Sequence, residues 1–299
     1  MKRVAILTGG ASSEREIALR SAKNVSAQLA NRFEVTVFNL PSSLQDFVSR
    51  TKEFDVAIPV LHGVGGEDGV IQGFLETLGM PYLFSGVQTH AIAMDKDKTK
   101  TLVAAAGILV PQSTIVRVGE SAQYVHPVVV KPYNGGSSVA TAIVRSQEEL
   151  DHAVTQAFGF TDAVLIEDFV EGSEFTVAIA DLDGTPRALP VIAIRPKGGF
   201  FDFESKYNLE TLADEICPAP IPDELAAQLQ TIALLAHQTL GCKQVSRTDI
   251  IVDAASQGWF LEINTIPGMT ETSLLPKALK AVGTTFADTL TAWIDDVTK

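Results

Sequence analysis

Cysteine is nearly absent, with Cys217 and Cys242 the only two in 299 residues. They make no CxxC pair and have no histidines at zinc-ligand spacing, which excludes a zinc ribbon or a dithiol redox motif. Two reduced core thiols in a cytosolic protein are expected instead. Basic residues are also scarce. Lys and Arg total 23 against 36 Asp and Glu, a formal net charge of −13, which disfavours nucleic acid or an anionic membrane as the main partner. Any bound polyphosphate must then meet a local group of cations or a metal ion. No run approaches the ~18 apolar residues of a membrane span. The N-terminus runs straight into an apolar strand, without the long apolar region and small-residue cleavage site of a signal peptide. No G-x-G-x-x-G fingerprint and no GK[ST] loop is present, so neither a dinucleotide fold nor a Walker A site is expected. No internal repeat or low-complexity tract stands out.

The composition that remains, 46% hydrophobic and 20% charged, is that of a globular enzyme, and the length is about twice the ~150 residues of one domain. Residues 3–8 form an apolar run that stops at Gly9-Gly10. Apolar positions at Ile17, Ala18, Ala22, Val25 and Leu29 then read as a helix, with Ser13 and Glu16 spaced as a capping box. Strands are expected at 35–40, 56–61 and 82–85, with a helix at about 69–79. That alternation describes a doubly wound parallel sheet in residues 1–88. A second block, 89–180, holds a helix at 96–106, strands at 128–131, 140–144 and 163–167, and a helix at 147–158. Strands 174–180 and 188–195 read as a hairpin about Asp183-Gly184. The irregular stretch 196–222 reads as a functional loop. A third block, 181–299, closes with a helix at 223–240, strands 245–252 and 258–264, and helices at 274–282 and 285–297. The fold class is α/β, α+β overall.

The last strand pair carries the strongest chemical signal. Arg247 and Asp249 are two apart and share one strand face, as do Glu262 and Asn264. If the hairpin closes with Asp253 opposite Gly258, Asp249 faces Glu262 and Arg247 faces Asn264. Two opposed carboxylates repel unless a cation lies between them, and these hard oxygens suit Mg²⁺ or Mn²⁺ better than Zn²⁺. A polar face whose acids pair with Arg247 is the competing account. The turn 265–270 follows at once, and Gly268 would let a backbone N–H approach an oxyanion. Lys131 ends a buried strand and precedes Asn134-Gly135-Gly136-Ser137-Ser138, a glycine loop able to cover phosphates or simply to turn. Glu14 stands at a helix start, where an acid suits the dipole anyway. His62 opens a glycine-rich loop at the carboxyl end of a strand, where ligands of such sheets lie.

Taken together, the chain resembles the ATP-grasp superfamily and, within it, the D-alanine–D-alanine ligases. The resemblance runs from Gly9 to about Pro276. It is carried in order by GGASSERE (9–16), LHGVGGEDG (61–69), MDKDKTK (94–100), VVVKPYNGGSSV (128–139), LIEDFVEGSEFTV (165–177), FDFESKY (201–207), SRTDIIV (246–252) and LEINTIPGMTETSLLP (261–276). It implies an ATP-grasp fold with a small central domain and a larger C-terminal one, and ATP bound between them. Lys96 and Lys131 would then hold phosphates under Ser137 and Ser138. Glu167, Phe169 and Val170 would meet the adenine edge, Glu174 the ribose, and Asp249, Glu262 and Asn264 two Mg²⁺ or Mn²⁺ ions, with Asn264 also at the nucleotide. Glu14 would bind the ammonium of a first D-alanine near His62. Arg247 and the Gly268 N–H would hold the oxyanion, and Lys206, Ser273 and Leu274 the second D-alanine. Tyr207 would tie a closing loop at 200–215 to Ser137 and Glu14 and would favour an amine over D-lactate as acceptor. The resemblance further implies a cytoplasmic homodimer serving peptidoglycan synthesis. Departures from the usual pattern are Asn134-Gly135 for Arg-Glu, Ser246 and Thr248 for Gly and Ile, and Ile266 for Ser. The rivals are an ATP-grasp ligase with another acceptor, a non-catalytic nucleotide sensor and an oxidoreductase. D-alanine-stimulated release of ADP would separate them.

Overall fold

Strand β1 (Arg3–Gly9) lies between β2 (Glu34–Leu40) and β3 (Val56–Val60), all parallel. The computed structural model describes residues 1–134, 140–195 and 213–299. Side chains alternate across β1, and both faces are covered. Val4 and Ile6 join Ala22, Val25 and Leu29 of α1 (Arg15–Leu29). Ala5 and Leu7 join Phe47 of α2 (Leu44–Arg50) and Leu75 of α3 (Val70–Thr77) on the other side. This two-sided cover is what an apolar, non-alternating parallel strand requires. Two local expectations change. Residues 82–85 add only an isolated bridge, Ala57 to Tyr82, because Phe84 takes a positive φ of 79° that ends extension. The capping box is not formed either. Glu14 occupies the N-cap without a side-chain cap, and Ser12 rather than Ser13 meets the turn, its Oγ accepting from the Glu14 N–H at 3.3 Å.

A four-stranded antiparallel sheet follows, β4 (Ser113–Arg117), β7 (Ala163–Asp168), β5 (Val128–Pro132) and β6 (Ala142–Val144) in spatial order. Helix α6 (Gln147–Ala157) buries Leu150, Ala153 and Ala157 on one face of it. Ahead of this sheet come α4 (Val87–Met94) and α5 (Lys96–Ala105).

The third sheet runs β11 (Asp214–Ile216), β10 (Ile192–Arg195), β8 (Ser173–Leu182), β12 (Val245–Val252) and β13 (Gly258–Asn264), with β9 (Thr185–Ala188) also on β8. Every paired residue of β8 belongs to this sheet, so a boundary at 180 falls inside one of its strands. Hydropathy marks a strand but not the sheet that receives it. The strand expected at 188–195 is two. β9 pairs with the far end of β8 and β10 with its start, and between them lies Pro190, which has no N–H to give a ladder. Helix α7 (Asp223–Thr239) covers one face, and α8 (Leu274–Ala281) and α9 (Phe286–Val297) cover part of the other. Helix α5 packs its apolar side on β13 and α7 and reaches the central sheet through Lys100. No helix among the described residues is long and apolar enough to cross a membrane. Both thiols are free, and burial pushes Cys242 up to about 12.

One apolar core joins the first and third sheets. Val4, Ile6 and Ile58 share it with Ala178, Ala180 and Ile192, and with Leu279, Leu290 and Trp293 from α8 and α9. Trp293 is its largest member. Its ring meets Phe84 edge-on with centroids 6.2 Å apart, and its indole N–H donates to the Asp181 carbonyl at 2.9 Å. Trp293→Ala is expected to cost about 3–5 kcal/mol, read as a lower urea midpoint. A loss below about 1 kcal/mol would mean that this junction is not the shared core described.

Candidate active site

The open face of the third sheet is polar where the covered part is apolar. Arg247 pairs with Asn264 and Asp249 with Glu262 across β12 and β13. The hairpin closes one residue earlier than the spacing suggests, with Val252 opposite Gly258, and a bulge beside Asp249 and Ile250 restores the offset. Two shifts of one residue cancel, so the expected pairs are present although the expected closing pair is not. The bulge also reverses parity. Phe260 lies in the core with α5 and α7, whereas Glu262, two residues on, stands opposite Asp249.

Asp249 is the hub of this face. Arg247 donates to it through two parallel bonds, Nε to Oδ1 at 3.1 Å and Nη2 to Oδ2 at 2.9 Å. The Thr176 hydroxyl donates to Oδ1 at 2.6 Å and Asn264 Nδ2 to Oδ2 at 3.3 Å. Thr176 sits directly opposite Asp249 on β8, and Glu174 is two residues along the same face. Burial works against the charge of Arg247, but Asp249, Glu262 and Glu67 outweigh it and hold the guanidinium protonated. Asp249, Glu262 and the amide of Asn264 form a hard-oxygen set. No group of three His, Cys, Asp or Glu side chains among the described residues could hold a metal ion; here the set is two acids and an amide. It fits Mg²⁺ or Mn²⁺ if Asn264 presents its amide oxygen where its nitrogen now faces Asp249.

Beyond Asn264 the chain turns under α1. Ser21 Oγ accepts from the Met269 N–H at 3.3 Å, and Asn24 Nδ2 donates to the Met269 carbonyl at 2.7 Å. Gly268 is therefore held between the third sheet and the first, and a Cβ on it would stand 3.0 Å from Ser273 Oγ. Ser273 holds the N-cap position of α8 without a side-chain cap, and its Oγ takes the Thr270 N–H at 3.0 Å, with half-buried Leu274 next in the chain. Ile266 places its side chain in the shared core, which an apolar residue does better than Ser. Ser246 meets buried His237 at 2.8 Å, a contact a glycine would lack.

The first sheet supplies the opposite wall at the carboxyl ends of β1 and β3, the switch point of its strand order. Gly9 turns there with a φ of +90°, where a Cβ would lie 2.7 Å from the Leu40 carbonyl. The Ser12 hydroxyl donates to the His62 carbonyl at 2.6 Å. Glu14 lies over Gly63, with Oε2 3.0 Å from where a Cβ would stand. His62 is buried, which lowers it to about 4 against a backbone hydrogen bond with Ile266, so its ring is neutral at pH 7. Its Nε2 lies 3.3 Å from Ser21 Oγ. Glu67 takes the Gly63 N–H at 2.8 Å and the Ile266 N–H at 3.3 Å. Burial and then the charge of Glu14 push it up to about 8, against those two N–H groups and Arg247.

At the central sheet, Lys131 pairs with Glu167, and so does Lys100 from α5 at 3.0 Å. Lys96 is buried one helical turn before Lys100. Phe169 gives its N–H to the Pro127 carbonyl at 3.1 Å, with the Arg145 guanidinium 5.2 Å over its ring, and half-buried Val170 follows it. Ser137, Ser138, Lys206 and Tyr207 lie outside the described residues. Sequence reasoning missed Ser21, Asn24, Glu67, Lys100 and Thr176. Polar Ser21 and Asn24 on the buried stripe of α1 were the available signal.

Glu67 yields a pH test. Its folded value lies above its ordinary 4.5, so its contribution to stability is complete below that value and is lost as pH rises through about 8. The urea midpoint of the parent chain is expected to fall relative to Glu67→Gln between about pH 5 and 9. Parallel curves would count against this account.

The models described as D-ala D-ala ligase N-terminus and D-ala D-ala ligase C-terminus match residues 42–85 and 102–295. A D-alanine–D-alanine ligase of Syntrophotalea carbinolica is 42% identical over 95% of this chain and 92% of its own length. The crystal structure of D-alanine–D-alanine ligase from Bacillus anthracis complexed with ATP superposes with a TM-score of 0.86 at 31% identity, covering 99% of this chain and 97% of that one. The VanG D-Ala:D-Ser ligase from Enterococcus faecalis gives 0.85 at 28% identity over 100% and 99%. Two family models in order, near-complete sequence coverage and the same ATP-grasp architecture establish that this chain belongs to the D-alanine–D-alanine ligase family, a family of ligases.

Proposed function

We propose that this chain joins two D-alanines at the expense of ATP, in the cytoplasm and as a homodimer, for peptidoglycan precursor synthesis. The observation that carries the reading is the convergence of Arg247, the opposed carboxylates Asp249 and Glu262, and the 266–269 turn on one open sheet face that looks onto Glu14 and His62. A carboxylate does not react with an amine near neutral pH without activation. The γ-phosphoryl group of ATP passes to the carboxylate of the first D-alanine, giving an acyl phosphate and ADP. The amine of the second attacks the carbonyl, loses a proton, and phosphate leaves.

Glu14 holds the first ammonium at the mouth of the first sheet. Lys96 and Lys131 neutralise phosphoryl oxygens, and Glu167, Phe169, Val170 and Glu174 line the nucleotide. Asp249, Glu262 and Asn264 would hold two Mg²⁺ ions, which supply charge neutralisation at the phosphates when bound. Arg247 and the N–H of Gly268 receive the charge of the tetrahedral oxygen, and Ser273 and Leu274 border the acceptor. The neutral ring of His62 suits a wall beside an ammonium, since a second cation there would repel it.

The test is release of ADP and phosphate from ATP with D-alanine present and absent. D-alanine-dependent release is expected, and release indifferent to D-alanine would sink the proposal. D-serine and D-lactate in place of the second D-alanine are expected to be poorer acceptors near pH 7. Preference for D-serine would instead align the chain with the VanG-type relative. Arg247→Ala is expected to lower kcat by about 10²–10³ while ATP still binds, and an unchanged kcat would remove Arg247 from its role.

A further inference from the structure

We propose that Lys100 is a positioning residue for nucleotide binding: it keeps the Glu167 carboxylate paired so that Lys131 can turn to the phosphates of ATP. This rests on the nucleotide-binding reading above. The three side chains form a buried cluster, with Lys100 and Glu167 each 3% exposed and Lys131 9%. Lys131 meets Oε1 of Glu167, and Lys100 meets Oε2 at 3.0 Å. Lys131 pairs with Leu165 across β5 and β7, so Glu167, two residues from Leu165, is its diagonal neighbour on the same sheet face. Lys100 arrives from a different body, since α5 packs on β13 and α7.

Charge counting gives the reason for two lysines on one acid. Two ammonium groups and one carboxylate leave one positive charge in excess. A buried excess charge is costly unless something neutralises it, and an anionic ligand beside Lys131 would do so. With Lys131 alone, the pair would be neutral, and Lys131 could reach an anion only by abandoning a buried carboxylate. Lys100 removes that conflict. The charged groups acting on Lys100 are Glu167, Lys131 and Asp168, and Asp168 is itself engaged by His126 at 2.7 Å. Those acting on Glu167 are the two lysines; burial alone would raise it, but their charges hold it below the usual carboxylate range.

The test is calorimetric binding of ADP with excess Mg²⁺ to the full chain. Lys100→Met is expected to weaken binding tenfold or more at about pH 8, the scale of breaking a buried charge pair. The ratio of variant to parent Kd is expected to shrink as pH falls, because Glu167 then takes up a proton when Lys131 leaves it. Lys100→Arg keeps the charge and is expected to bind within about threefold of the parent. Measured against Glu167→Gln alone, which carries whatever that side chain gives the nucleotide, adding Lys100→Met should change Kd by no more than about threefold and leave no pH-dependent ratio. This double variant also serves if Lys100→Met alone does not fold. An equal Kd in Lys100→Met, a ratio flat in pH, or a double variant tenfold or more weaker than Glu167→Gln alone overturns the proposal. A parent chain that binds no ADP overturns the functional reading itself, whereas a binding parent with an indifferent Lys100→Met variant overturns only the role of Lys100.

Discussion

Two carboxylates stand directly opposite each other on neighbouring strands, and such a pair is repulsive by itself. Around it, the third sheet places an arginine, a threonine hydroxyl and an amide, all donating to Asp249. Each comes from a strand position fixed by the pleat: Thr176 opposite Asp249, Arg247 two residues away, Asn264 two residues beyond Glu262. The face tolerates its acids because backbone pairing, not side-chain search, delivers the compensating groups. The same arrangement leaves Glu262 available for a cation.

A second charge arrangement mirrors the first with signs exchanged. At Glu167 one acid is shared by two lysines; at Arg247 one guanidinium meets the charges of Asp249 and Glu262. On the proposed function, one cluster would meet phosphates and the other a metal and a developing oxyanion. Both are largely removed from water, where such interactions are stronger than at a surface. A net charge of −13 is therefore compatible with the proposed polyphosphate binding, because Lys96, Lys100 and Lys131 are all buried and Lys100 and Lys131 share one acid.

The facing pairs of β12 and β13 were legible although the register was not, because the early closure of the hairpin and the bulge beside Asp249 cancel over that short distance. The first sheet was legible for a similar reason, since glycine turns separate well-marked apolar runs. What the sequence could not show lies in long-range pairing. Asn24 and Met269 are 245 residues apart, and Lys100 and Glu167 are 67 apart. No local pattern encodes such partners. The sheet that β8 joins, and the break at Pro190 between β9 and β10, depend on which edge receives each strand. The capping box expected at Ser13 does not form, and the serine that does engage this turn, Ser12, is drawn to the His62 carbonyl by tertiary structure.

The single apolar core that runs from Val4 through Trp293 to Ala178 has a mechanical corollary. First and third sheets share buried side chains and are further tied by Asn24 and Ser21 to Met269, so they act as one block. The central sheet keeps a core of its own with α6 and meets that block through polar links such as Lys100 to Glu167 and the Asp95–Asn134 bridge. Relative displacement is easiest where no apolar interior is held in common. The weakest apolar tie in the molecule therefore lies beside the lysine cluster, whereas the wall bearing Glu14, His62 and Glu67 is fastened to the sheet that carries Arg247.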